Sequence, residues 1–131
     1  MKTLIVEDDF MTRFVLQKFI SSYGECHFAV NGVEAVAAFT LASEEGKPYD
    51  LICLDIMMPK MDGQEALKQI RGKEKELNIH SSDEVKIVMI SALDAPKDVI
   101  EAYYKGGCTS YLVKPVTKET LNRTLAELKV I

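Results

Sequence analysis

Glu7, Asp8, Asp55, Ser91 and Lys114 have side chains that could do chemistry together, because each stands directly behind a short apolar run. Glu7, Asp8 and Asp9 follow LIV, Asp55 follows LICL, Ser91 follows KIVMI, and Lys114 with Pro115 follows YLV. Carboxylates bind hard cations, and one singled out can attack phosphorus. Lysine contributes a positive point charge and serine a hydroxyl, both suited to phosphoryl oxygens. If the acids converge, each pair at about 4 Å repels by roughly 4 kcal/mol at an effective dielectric near 20. Such a cluster needs a cation or a shared proton. Mg2+ fits, since it takes one or two carboxylates, keeps several waters and accepts a phosphate oxygen. Asp55 is then the nucleophile, with Lys114 and Ser91 on the phosphoryl oxygens. Taken singly, each residue has a plainer role: acids and serine cap the helix that follows, Asp55 can be a turn residue, and lysines are commonly solvated. Asp9 is assigned to capping.

The set acts together only if the fold joins the ends of those runs. Strands are expected at Thr3 to Val6, His27 to Val30, Leu51 to Leu54, Val85 to Ile90 and Ser110 to Val113. The first, third and fourth are apolar almost throughout, as parallel strands covered on both faces should be; the second is more polar and suits an edge. Segments of helical period lie between them. Met11, Phe14, Val15 and Phe19 form one stripe and Val33, Val36, Ala37, Thr40 and Leu41 another, both expected to face the core. Leu67 with Ile70, Val99 with Tyr103, and Leu121 with Leu125 and Leu128 mark three more helices. Alternating strands and helices joined by right-handed crossovers predict an α/β fold, (βα)5 and flavodoxin-like, a three-layer sandwich with sheet order 2-1-3-4-5. In that order ligands bind beyond the strand carboxyl ends where the chain reverses, between the first and third strands.

The chain has 131 residues, 47% hydrophobic and 27% charged, which suits one domain spanning 1–131. A net charge of -4 argues against direct contact with nucleic acid. No apolar run approaches the roughly 20 residues of a membrane span, and acids stand where a signal peptide would be apolar, so a cytoplasmic protein without membrane insertion is expected. The three cysteines, Cys26, Cys53 and Cys108, lack CxxC spacing and are expected as buried thiols.

The segments LIVEDD, LICLDIMMPKMDG, VMISA and YLVKP, running over essentially the whole chain, resemble the receiver domain of two-component response regulators, the CheY-like family. The resemblance implies that Asp55 accepts a phosphoryl group from a sensor histidine kinase or a histidine phosphotransfer protein. It implies that Asp8 and Asp55 coordinate Mg2+, with Mn2+ able to substitute, that Glu7 acts mostly through water, and that the Met57 backbone carbonyl is a further ligand. Lys114 would pair with the phosphoryl group and form a cis peptide with Pro115. Pro59 and Gly63 would shape the loop after Asp55. Ser91 and Tyr111 would be the switch: the hydroxyl moves toward the phosphoryl group, Tyr111 turns inward, and the face of the fourth helix, fifth strand and fifth helix changes for a downstream protein target. A phosphorylation-linked homodimer is a further expectation. The chain would catalyse only its own phosphorylation and slow dephosphorylation, so it is not classed as an enzyme. Its last residues, just past the fifth helix, suggest a stand-alone receiver or a piece cut from a longer regulator.

Glu7 stands where the family more often has Asp. Met57 is apolar where some members carry a polar side chain that positions water. Three competing functions are weaker. A haloacid dehalogenase-type phosphohydrolase wants a second Asp where Met57 stands. An FMN carrier wants a phosphate-binding loop where Glu7, Asp8 and Asp9 stand. A phosphorylation-independent binding scaffold has no need of the intact Asp8, Asp55, Ser91 and Lys114 set.

Overall fold

Strand and helix alternate five times. The computed structural model, which describes residues 1–131, has β1 (Lys2–Val6), α1 (Phe10–Ile20), β2 (Glu25–Ala29), α2 (Gly32–Glu44), β3 (Leu51–Leu54), α3 (Gly63–Glu76), β4 (Lys86–Ser91), α4 (Pro96–Ile100), β5 (Ser110–Val113) and α5 (Lys118–Glu127). From Glu101 to Gly106 the fourth helix continues with π winding. All strands are parallel in the order β2-β1-β3-β4-β5, as expected.

Alternate side chains of the inner strands feed two cores, one on each face. Leu4, Val6, Ile52, Leu54, Ile87 and Met89 pack with Phe39, Leu67 and Ile70. Ile5, Leu51, Cys53, Val88 and Ile90 pack with Leu16, Ile20, Leu121 and Leu125. Strands buried on both faces have no polar side to show, which is why they read as unbroken apolar runs.

Two helical stripes face the core only in part: Phe19 and Val36 pack against it, while most of their other members do not. In α1 the buried residues are Leu16 and Ile20, whereas Met11 is 62% exposed and Phe14 and Val15 are also exposed. Leu16 lies one residue, and so about a quarter-turn, round from Val15. The Asp9 cap, whose carboxylate accepts from Thr12 N at 2.9 Å, sets where the helix starts, and the packing of Leu16 and Ile20 against the sheet sets its buried face. In α2 the core takes Ala35, Phe39 and Ala42, leaving Val33, Ala37 and Leu41 exposed. Strand β2 begins two residues earlier than expected because its pairing with β1 runs from Lys2 opposite Glu25, and polar Glu25 hid that start. Strand β4 is displaced by one residue and takes in Ser91. All three cysteines are free thiols; Cys53 and Cys108 are buried but Cys26 only partly. Burial pushes the Cys53 thiol up to about 12. No helix is long and apolar enough to cross a membrane.

Candidate functional site

Strand register brings the chemical residues to one edge. Val6 lies opposite Leu54, so Glu7 and Asp8 emerge beside Asp55, and Asp55 N donates to Val6 O at 3.0 Å. Ser91 lies opposite Val113, and Lys114 N donates to Ser91 O at 2.8 Å. Glu7, Asp8 and Asp55 each offer a carboxylate oxygen within 4.8 Å of the others. Glu7 is 1% exposed and Asp55 6%, whereas Asp8 faces solvent at the rim. A group of oxygen donors this close, open on one side, fits a hard divalent cation that keeps water on its outer face.

Lys114 offsets part of the charge. Its Nζ donates to Glu7 Oε1 at 2.6 Å and to Asp55 Oδ2 at 3.3 Å. Burial opposes its charge, but the Glu7 hydrogen bond and the Asp55 carboxylate outweigh that and raise its pKa. Burial lifts the Glu7 carboxyl to about 7, against the pull of the Lys114 hydrogen bond and with further upward pressure from Asp55. Glu7 also accepts from Asp9 N at 3.2 Å, and its backbone oxygen accepts from Arg13 Nη1 at 2.9 Å. Glu7 is therefore a buried partner of Lys114.

Gly63 and Pro59 both take part in the loop after Asp55. Gly63 N donates to Ile56 O at 2.8 Å, and a Cβ on Gly63 would lie 2.8 Å from both the Asp55 carbonyl carbon and Ile56 Cα. Only glycine permits that approach. Pro59 O accepts from Met61 N at 2.8 Å to close the turn, and Lys60 takes a left-handed conformation with φ 68°. Lys114-Pro115 is cis. Met57 is exposed and, with Asp8, Gln64, Leu93 and Asp98, lines a cleft of about 540 Å³. A depression of about 640 Å³ near Met1, Tyr49, Asp50 and Glu84 contains none of these residues.

Ser91 and Tyr111 meet at a residue that no side-chain motif marks. Leu93 N donates to Ser91 Oγ at 3.1 Å, and Tyr111 Oη donates to Leu93 O at 2.7 Å. Tyr111 is half-buried and already packed against the core. Ser91 is fully buried, with Leu93 N as the partner of its hydroxyl. Leu93 contributes only backbone groups, so its side-chain type carries no signal. Arg13 was also missed; it is one turn beyond the Asp9 cap, a position from which a long side chain can reach back to the preceding strand end.

The family model described as response regulator receiver domain matches residues 3–126. The sensory/regulatory protein RpfC of Xanthomonas campestris pv. campestris is 33% identical over 130 residues, covering 99% of this chain but only 17% of that protein. The receiver domain of Ssk1 from Saccharomyces cerevisiae, solved with the histidine phosphotransfer signaling protein Ypd1, superposes with a TM-score of 0.82 at 32% identity, covering 100% of this chain and 92% of that one. The receiver domain of the histidine kinase CKI1 from Arabidopsis thaliana, complexed with Mg2+ and BeF3-, gives a TM-score of 0.82 at 26% identity, with 99% and 90% covered.

Proposed function

The chain belongs to the response regulator receiver domain family of two-component systems, and on that premise we propose that Asp55 is its phosphoryl acceptor and that Glu7, Asp8 and Asp55 hold Mg2+. The observation that carries the reading is the grouping of three carboxylates within 4.8 Å, two of them in contact with Lys114. Bound Mg2+ would neutralise these carboxylates and the oxygens of the incoming group. An Asp55 oxygen forms a bond to phosphorus as the phosphorus–nitrogen bond of a phosphohistidine breaks, the imidazole leaving with the electron pair. Lys114, next to Asp55 at 3.3 Å, supplies positive charge where phosphoryl oxygens would lie. The Met57 backbone carbonyl would be a further ligand, and Mn2+ is expected to replace Mg2+.

The donor is a histidine kinase or a histidine phosphotransfer protein; Ssk1 with Ypd1 is a complex of the second kind. The exposed apolar face of α1, with Phe10, Met11, Phe14 and Val15, is the surface for that partner. It borders an apolar groove of about 380 Å³ that also includes Lys114, Pro115 and Val116. Once Ser91 turns to the phosphoryl group, Leu93 N loses a partner, and the β4–α4 turn held between Ser91 and Tyr111 is free to rearrange. A downstream protein or a second copy of the chain reads the change at α4, β5 and α5. The chain acts on itself alone and works in the cytoplasm.

The test is transfer from a phosphohistidine donor to the purified chain with Mg2+ and with chelator. Transfer is expected only with metal and only when Asp55 is present. Equal labelling of Asp55→Asn would refute the assignment.

A further inference from the structure

Gln64, Lys68 and Arg71 recur along α3 at spacings that place them on one helical face. Each reaches the fourth helix at a different level. Gln64 Nε2 donates to Asp98 O at 2.9 Å, in the first turn of α4. Lys68 Nζ pairs with Glu101 Oε2 at 3.0 Å, at the first residue of the π-wound segment. Arg71 Nε donates to Gly107 O at 2.9 Å, at the left-handed residue that ends it, with φ 79°. Between these rungs Gly106 touches Leu67 so closely that any side chain on it would collide, and Ala102 is fully buried.

π winding is rare and concentrated where structure is strained or functional. Nothing in EAYYKG favours it intrinsically, and Tyr104 is 86% exposed. The constraint must come from outside the segment. Arg71 is a fixed post: its Nη1 donates to Glu74 Oε1 at 2.7 Å and to Val85 O at 2.9 Å. Gln64 is 6% exposed and keeps its amide on Asp98 while its Oε1 is buried without a partner, an arrangement that costs free energy and is retained. A lone surface ion pair adds little, but Lys68 sits between two anchored rungs. Rewinding the segment as an α-helix would rotate its end relative to its start. The Glu101 and Gly107 contacts could not then both survive.

We propose that Gln64, Lys68 and Arg71 are positioning residues: this ladder on α3 holds the fourth helix in its π-wound register and sets how Ile100, Tyr103 and Tyr104 are turned outward. The hold is a property of the unphosphorylated chain. Its meaning for signal output rests on the receiver reading above.

Hydrogen exchange on the unphosphorylated full chain tests it. In Gln64→Leu, amides between 98 and 107 should exchange about fivefold or more faster, the loss of one net hydrogen bond, and in Lys68→Glu about twofold or more, while amides of β1 and β3 keep their rates. The exchanged pair Lys68→Glu with Glu101→Lys should restore slow exchange, which a general loss of packing would not. Leu121→Ala, in the opposite layer, serves as the control for general destabilisation. Unchanged exchange in both single variants, acceleration spread evenly over the sheet, or an exchanged pair that stays fast would overturn the proposal. No phosphoryl donor enters, so failure of phosphorylation at Asp55 would leave this result standing.

Discussion

Glu7 combines burial, a 2.6 Å contact with Lys114 and proximity to Asp55, and its carboxyl is pushed up to about 7. The unfolded chain releases that proton near 4.5, the ordinary value for a glutamate. Between these values the folded state holds a proton that the unfolded state has lost, so this contribution to stability is complete below the lower value and disappears as pH rises through the upper one. In metal-free buffer the urea midpoint of the wild type, measured relative to Glu7→Gln, should fall between pH 5 and pH 8; parallel curves would contradict the assignment. Protons compete with a cation at the same carboxylates, so apparent Mg2+ affinity, followed by titration calorimetry, should weaken below about pH 7. Met57 brings no polar atom from its side chain to the cleft. Met57→Asn should therefore shorten the lifetime of the phosphorylated chain, followed by its decay after donor removal, and equal lifetimes would count against that view. The types of Glu7, Asp8, Asp55 and Lys114 were informative because each ends an apolar run. Leu93 was not legible, because what it offers is an amide and a carbonyl.

At the scale of elements, β1, β3 and β4 were visible in the sequence because burial on both faces leaves unbroken apolar runs. The faces of α1 and α2 were not. Counting apolar residues at helical spacing finds a stripe without saying which of two stripes meets the sheet, and in α1 the larger one faces out. Phe14→Asp should accordingly change stability by only about 0.5 kcal/mol or less in urea denaturation, while slowing transfer from a phosphohistidine donor. A loss of several kcal/mol would place Phe14 in the core after all. Gly63 makes the opposite case. Gly63→Ala puts a methyl group against the Asp55 and Ile56 backbone and should cost about 1–3 kcal/mol in the same assay, with weaker Mg2+ binding because the loop must shift. The π winding after α4 had no signature in Val99 and Tyr103, since it is imposed by contacts with α3.

For the whole molecule, the parallel order β2-β1-β3-β4-β5 turns four separated segments into one site, because every strand carboxyl end lies on the same edge. That order was legible from the alternation of elements, and with it the convergence of residues as far apart as Glu7 and Lys114. The acidic balance, 20 Asp and Glu against 16 Lys and Arg, gives no basic surface of the kind that grips a phosphate backbone. Everything proposed for this site depends on Asp55 accepting a phosphoryl group beside bound Mg2+. The most direct test is the intact mass of the wild type and of Asp55→Asn after incubation with acetyl phosphate, with Mg2+ and with chelator. A single-phosphate adduct on the wild type, lost with chelator and absent from the variant, is the predicted result. The same adduct on folded Asp55→Asn, or none on the wild type from either acetyl phosphate or a phosphohistidine donor, would contradict it.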